Sequence, residues 1–117
     1  MRDFRKLTIW RDSLDFSVDI ISELKKFPDE EKYGLTRQIS RCSVSIPSNI
    51  AEGCRGTNSE LSHFLSISLG SAFELETQLE IAMRVGYMSK DRYEVIIFRL
   101  RKIQASINAY RSKVKYG

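Results

Sequence analysis

Ser43-Val44-Ser45-Ile46-Pro47-Ser48-Asn49-Ile50-Ala51-Glu52-Gly53 is a serine-rich segment with a proline at its centre, set inside a chain that otherwise reads as helix. A proline in a helix interior deletes one backbone hydrogen bond and crowds the preceding turn, at a cost of about 3 kcal/mol, so the fold or a partner must repay it. The apolar residues around it keep a helical beat: Leu35, Ile39, Cys42, Ile46 and Ile50 recur at fours and threes. The segment therefore reads as part of a helix over about 34–54 that continues through Pro47 with a bend.

Three more helical patterns flank it. Upstream, Trp10, Leu14, Val18, Ile21 and Leu24 give an amphipathic helix over about 8–26 whose apolar stripe is expected to face the core. Phe27-Pro28 ends it, because a residue preceding proline is pushed out of the helical region. Downstream, Thr57-x-x-Glu60 has capping-box spacing, and Leu61, Leu65, Ser68, Ala72, Leu75, Leu79 and Ala82 form a seam on a helix over about 58–85, with Gly86 as its stop. Ser89 caps a fourth helix over about 89–113, carrying Tyr93, Ile96, Ile97, Leu100, Ile103, Ile107, Tyr110 and Val114. Short connections make neighbours antiparallel, so the expectation is an all-α, up-down-up-down four-helix bundle with a proline bend in its second helix.

Composition agrees. The 117 residues, 42% of them hydrophobic, suffice for one domain with a real core and no disulfide or metal. The longest apolar run, Val95-Ile96-Ile97-Phe98, is far below the roughly 20 residues of a membrane span, and Met1-Arg2-Asp3-Phe4-Arg5-Lys6 lacks a signal-peptide core. A cytoplasmic protein is expected. Cys42 and Cys54 are separated by roughly 18 Å of helix rise, which argues against a disulfide between them.

Reactive constellations are sparse. Glu60-Leu61-Ser62-His63 has the Glu-x-x-His spacing of helical di-iron bundles, but those sites need two such pairs and His63 is the single histidine. Cys42, Cys54 and His63 fit no zinc spacing. No serine or cysteine stands in a recognisable nucleophile-base arrangement, and Glu74, Glu76 and Glu80 read as a solvated face. No catalytic residue, metal or cofactor is expected, and an enzyme ranks behind an interaction protein.

Charge is more informative. The net charge is +4. The third helix has an acidic strip in Glu60, Glu74, Glu76 and Glu80, whereas the chain beyond Ser89 is strongly basic. Arg99, Lys102 and Lys113 are spaced close to whole turns, and Arg37 and Arg41 pair at four. Two readings stand side by side: a basic surface for nucleic acid, or acidic and basic helices that satisfy one another within a subunit or across an interface. The small residues Ser43, Ser45, Ser48, Ala51 and Gly53 on the second helix and Gly70, Ser71 and Ala72 on the third allow close helix approach, with Gly70 and Ala72 expected to pack within the subunit. Asn49 and Glu52 are expected to make hydrogen bonds that orient the bend or a subunit contact.

Gly34-Leu35-Thr36-Arg37-Gln38-Ile39-x-Arg41, Ser45 to Gly53 and Gly70-Ser71-Ala72-x-Glu74-Leu75-Glu76-Thr77-x-Leu79 together resemble the four-helix bundle proteins encoded in 23S rRNA intervening sequences, a family related to the accessory variability determinant proteins of diversity-generating retroelements. Trp10, Phe27-Pro28 and Gly86-Tyr87 extend the resemblance along nearly the whole chain. It implies a bundle that assembles as a homopentamer and contacts nucleic acid, and it brings no catalytic residues. The expectation is a non-enzymatic homo-oligomer that binds RNA or DNA through Arg37, Arg41, Arg99, Lys102, Arg111 and Lys113, with Pro47, Asn49, Glu52, Gly53 and Gly70 as structural or interface motif. The alternative is a scaffold whose protein partner is a nucleic-acid enzyme such as a reverse transcriptase.

Overall fold

A computed structural model describes residues 2–116. Four helices form the body: α1 (Thr8–Leu24), α2 (Leu35–Gly53), α3 (Asn58–Arg84) and α4 (Lys90–Tyr116), with short 3-10 turns at Phe4–Lys6 and Asp29–Glu31. Each helix packs on its chain neighbours, α2 on α3 most extensively, and α4 closes back on α1, so α2 and α4 are diagonal. This is a four-helix bundle, 43 × 24 × 19 Å.

Local chemistry sets the boundaries. Thr57 and Glu60 close the expected capping box, each side chain satisfying the other's backbone N–H. The Arg92 N–H donates to Ser89 Oγ at 3.1 Å to start α4. Gly86 takes φ +90°, a left-handed conformation open to glycine, and ends α3 there. Gly53 is required for a different reason: a Cβ there would come within 2.9 Å of both Leu61 and Phe64, so its absence lets α2 turn tightly into α3.

The core is a continuous column through Phe16, Ile20, Ile39, Ile46, Leu65 and Leu100. The α3 seam is as expected, with Leu61, Leu65, Ser68, Ala72, Leu75 and Leu79 fully enclosed. The α1 stripe is not. Of the expected residues Leu24 is buried and Trp10 packs half-buried against the core, but Leu14, Val18 and Ile21 are 38, 60 and 42% exposed, and Leu24 shares the buried face of α1 with Ile9, Ser13, Phe16, Ser17 and Ile20. Two apolar stripes share one helix, and the inner one accepts Ser13 and Ser17 because small residues let α2 come close. Gly70 also departs from expectation: it is exposed and a Cβ there would touch nothing within 4 Å, so it does not pack within the subunit, whereas Ala72 does.

Candidate nucleic-acid interface

The serine-proline segment is wired into the bundle. Pro47 has no N–H for the carbonyl of Ser43, four residues back. Ser17 of α1 replaces it: its hydroxyl lies 2.6 Å from that carbonyl and 2.9 Å from its own Ser13 carbonyl, the shorter contact going to α2. Proline's missing donor is thus supplied from the neighbouring helix. On the other side Ser68 of α3 donates to the Ile46 carbonyl at 2.8 Å. Asn49 Nδ2 donates to both Oγ and carbonyl of Ser45 at 2.8 Å, and Ser45 Oγ meets Ser71 Oγ at 2.8 Å, which carries the network onto α3. Glu52 instead stands exposed, 3.8 Å from Arg55.

The six basic candidates do not share one surface. Arg37 and Arg41 are exposed on α2, and Arg41 borders a polar groove between α2 and α3 with Cys42, Ser45, Ser71, Glu74 and Gln78. Arg99 and Lys102 lie across the bundle, lining a groove between α1 and α4 with Asp12 and Asp15. Arg99 is engaged there, 2.7 Å from Asp19 and over the ring of Phe16. Arg111 is half-buried, its Nε enclosed with no hydrogen-bond partner among the described residues, and Lys113 is exposed on the last turn of α4.

Much of the charge asymmetry is answered internally. Glu76 receives Arg101 at 3.1 Å and Gln104 at 2.9 Å. Glu80 accepts from Tyr93 Oη and from Arg84, each at 2.7 Å, which hold its carboxyl below the usual range. Burial and that same carboxylate push the Tyr93 phenol up to about 12. Glu23, nearly enclosed on α1, takes Arg92 at 3.1 Å. Part of the charge of α3 and α4 is thus answered within the subunit, Glu76 by Arg101 of α4 and Glu80 by Arg84 of its own helix, while Arg92 and Arg99 of α4 pair with α1.

Burial raises both thiols, Cys42 and Cys54, the reverse of the shift that makes a cysteine nucleophilic. Among the described residues no group of three His, Cys, Asp or Glu side chains could hold a metal, and His63 is exposed beside Phe64. No helix of the described chain is long and apolar enough to cross a membrane.

Two surfaces were missed by the sequence reading. One is the outer stripe of α1, which with Phe4 and with Val44, Pro47 and Ala51 of α2 lines an apolar groove. Its signal was present as Trp10, Leu14, Val18 and Ile21, assigned to the wrong side of the helix. The other is a concentration of cations where the start of α1, the α2–α3 turn and the end of α4 meet, visible only once the topology is known.

The family model of the 23S rRNA-intervening sequence protein matches residues 5–109. Among solved structures, a protein of unknown function from the S23 ribosomal protein family of Bacteroides thetaiotaomicron superposes with a TM-score of 0.83 at 28% identity, covering 89% of this chain and 98% of that one. No protein of curated function matches.

Proposed function

The chain belongs to the 23S rRNA-intervening sequence protein family, and on that premise we propose that it acts as a non-enzymatic, homo-oligomeric helical bundle of the cytoplasm that binds RNA or DNA through basic surface. The observation that carries the reading is the α1/α2 groove. Leu14, Val18, Ile21 and Val44 are large apolar side chains between 38 and 60% exposed, gathered on one face beside Trp10 and Pro47. Burying such a side chain fully is worth about 1.5–3 kcal/mol, so a contiguous group of them is a surface in want of a partner.

A second copy fits that role. Ring closure is heterologous, one surface against a different one, and the other two helices offer Phe73 of α3, 53% exposed, and Phe98 of α4, 65% exposed. A ring of five is the count implied by the resemblance. Assembly also bears on nucleic acid, because a lone subunit of charge +4 is a weak polyanion binder and a ring multiplies that charge. The raised thiols and the internally paired carboxylates of α3 support a binding rather than a catalytic role.

Native mass spectrometry of the full chain with and without a single-stranded RNA tests both halves. A multimer that gains RNA mass supports the reading. A monomer, or a multimer that captures no RNA at low salt, contradicts it, and in the second case an assembled scaffold that recruits a protein partner becomes the working alternative.

A further inference from the structure

Three segments distant in sequence converge at one end of the bundle. The Arg2 backbone N–H donates to the Cys54 carbonyl at 3.0 Å and its guanidinium to Asn58 at 2.7 Å, which joins the N-terminal strand of chain to the α2–α3 turn. Arg11, in the first turn of α1, reaches back to the Arg5 carbonyl at 3.2 Å. Helix α4 runs antiparallel to both α1 and α3, as the pairs Arg92–Glu23, Arg99–Asp19, Tyr93–Glu80 and Arg101–Glu76 fix, so its last turn arrives at this same end.

The charge collected there is out of proportion to the molecule. Residues 2–11 bring Arg2, Arg5, Lys6 and Arg11; residues 52–61 bring Arg55; residues 111–116 bring Arg111, Lys113 and Lys115. Against these eight cations stand only Asp3, Glu52 and Glu60, a balance of +5, which leaves the remaining eleven cations and twelve carboxylates of the body at −1. The opposite end is neutral: residues 22–37 and 80–95 hold seven cations and seven carboxylates. The three acids of the basic end are also occupied. Asp3 accepts from the Arg5 backbone N–H, Glu60 closes the α3 capping box, and Glu52 faces Arg55. Arg5 and Arg55 side chains remain 71 and 78% exposed despite their pairs.

We infer that this end, and not the α2 or mid-α4 flanks, is where the phosphate backbone of a nucleic acid binds. The inference rests on the nucleic-acid reading above and gives it a location. A face about 24 by 19 Å across spans several phosphates, since a duplex carries one charge per about 1.7 Å of axis, and single strands present the same phosphate chemistry. Packing through the α1/α2 groove is lateral and leaves the end face open, so a ring with its long axes alike presents a basic rim.

The test is fluorescence anisotropy of the full chain with a labelled single-stranded RNA and with a duplex, each about 20 bases long, between about 50 and 300 mM salt. Two triple variants are compared, Arg5→Gln/Lys6→Gln/Arg55→Gln at the end and Arg37→Gln/Arg41→Gln/Lys102→Gln on the body, with circular dichroism and mass as controls. Lys6→Gln/Arg55→Gln/Lys113→Gln repeats the first without disturbing the Arg5–Phe4 contact. The end variants are expected to weaken binding at low salt at least about 10-fold and to flatten the salt slope by about 2 to 3, with the body variant within about 2-fold of the parent. Equal losses in both triples, or a loss confined to the body variant, overturn the location while leaving nucleic-acid binding intact. A parent chain that binds neither RNA overturns the reading and the location together.

Discussion

Helix α1 has two neighbours, and its two seams are finished in opposite ways. Toward α4 the seam is closed by charge: Arg99 on Asp19 at 2.7 Å, Arg92 on Glu23 at 3.1 Å, with Asp12, Asp15 and Lys102 along the groove. Toward α2 the contact is closer, anchored by the Ser17 hydroxyl on the Ser43 carbonyl, yet its rim is left apolar with Leu14, Val18, Ile21 and Val44 in the open. A seam whose rim carries ion pairs is complete in one subunit. A seam whose rim is apolar is complete only when something covers it, and that contrast is the physical basis for reading the chain as one subunit of an assembly.

The sharpest way to break the contrast is to alter the two faces of α1 separately. Phe16→Ala, on the inner face, removes a fully buried ring and is expected to cost about 3–5 kcal/mol in denaturant unfolding. Val18→Ala, two residues on and 60% exposed, leaves the stability of the isolated fold within about 0.5 kcal/mol. A loss at Val18 as large as that at Phe16 would mean that the outer stripe is core after all.

The next effect tests the proline wiring. Ser17→Ala strips the Ser43 carbonyl of its partner and is expected to cost about 1–3 kcal/mol. In a Pro47→Ala background residue 47 regains an N–H for that carbonyl, so the Ser17→Ala penalty shrinks there by about 1–2 kcal/mol. Equal penalties in the two backgrounds would show that the hydroxyl does not substitute for the lost donor.

How much of this was legible in the sequence depends on how many apolar stripes a helix carries. On α3 there is a single seam, and Leu61 through Ala82 could be read straight to the core. On α1 there are two, Ile9-Phe16-Ile20-Leu24 and Trp10-Leu14-Val18-Ile21, and periodicity alone cannot say which faces inward; the buried Ser13 and Ser17 made the inner one look the more polar. The capping box at Thr57 and the stop at Gly86 were legible because each depends on near neighbours. The role of Ser17 was not, since its partner is 26 residues away. The basic end escaped for the same reason, its cations coming from three separate segments.

Smaller effects belong to the charged seam. Asp19→Asn is expected to cost about 1 kcal/mol or less, because the pair with Arg99 is partly open to solvent, and the loss should fade with added salt. The α3–α4 contact gives a signature in pH. The folded state holds the proton of Tyr93 up to about 12, above the ordinary phenol value of 10, so its contribution to stability is complete below pH 10 and is lost as pH rises toward 12. Glu80 has the opposite sign: its carboxyl is lowered by Tyr93 and Arg84, so its contribution is present above the ordinary value of 4.5 and is lost as pH falls below it. Ultraviolet titration of the phenols, with Tyr93→Phe as reference, checks the first, and acid unfolding of Glu80→Gln checks the second.

The most direct test is the mass of the full chain in solution by light scattering, measured for the parent, for Val18→Glu in the apolar seam and for Lys102→Gln in the charged one. A multimer is expected for the parent and for Lys102→Gln, and a folded monomer with unchanged helical dichroism for Val18→Glu. A monomeric parent, or a Val18→Glu variant that keeps the parent's mass, would contradict this expectation.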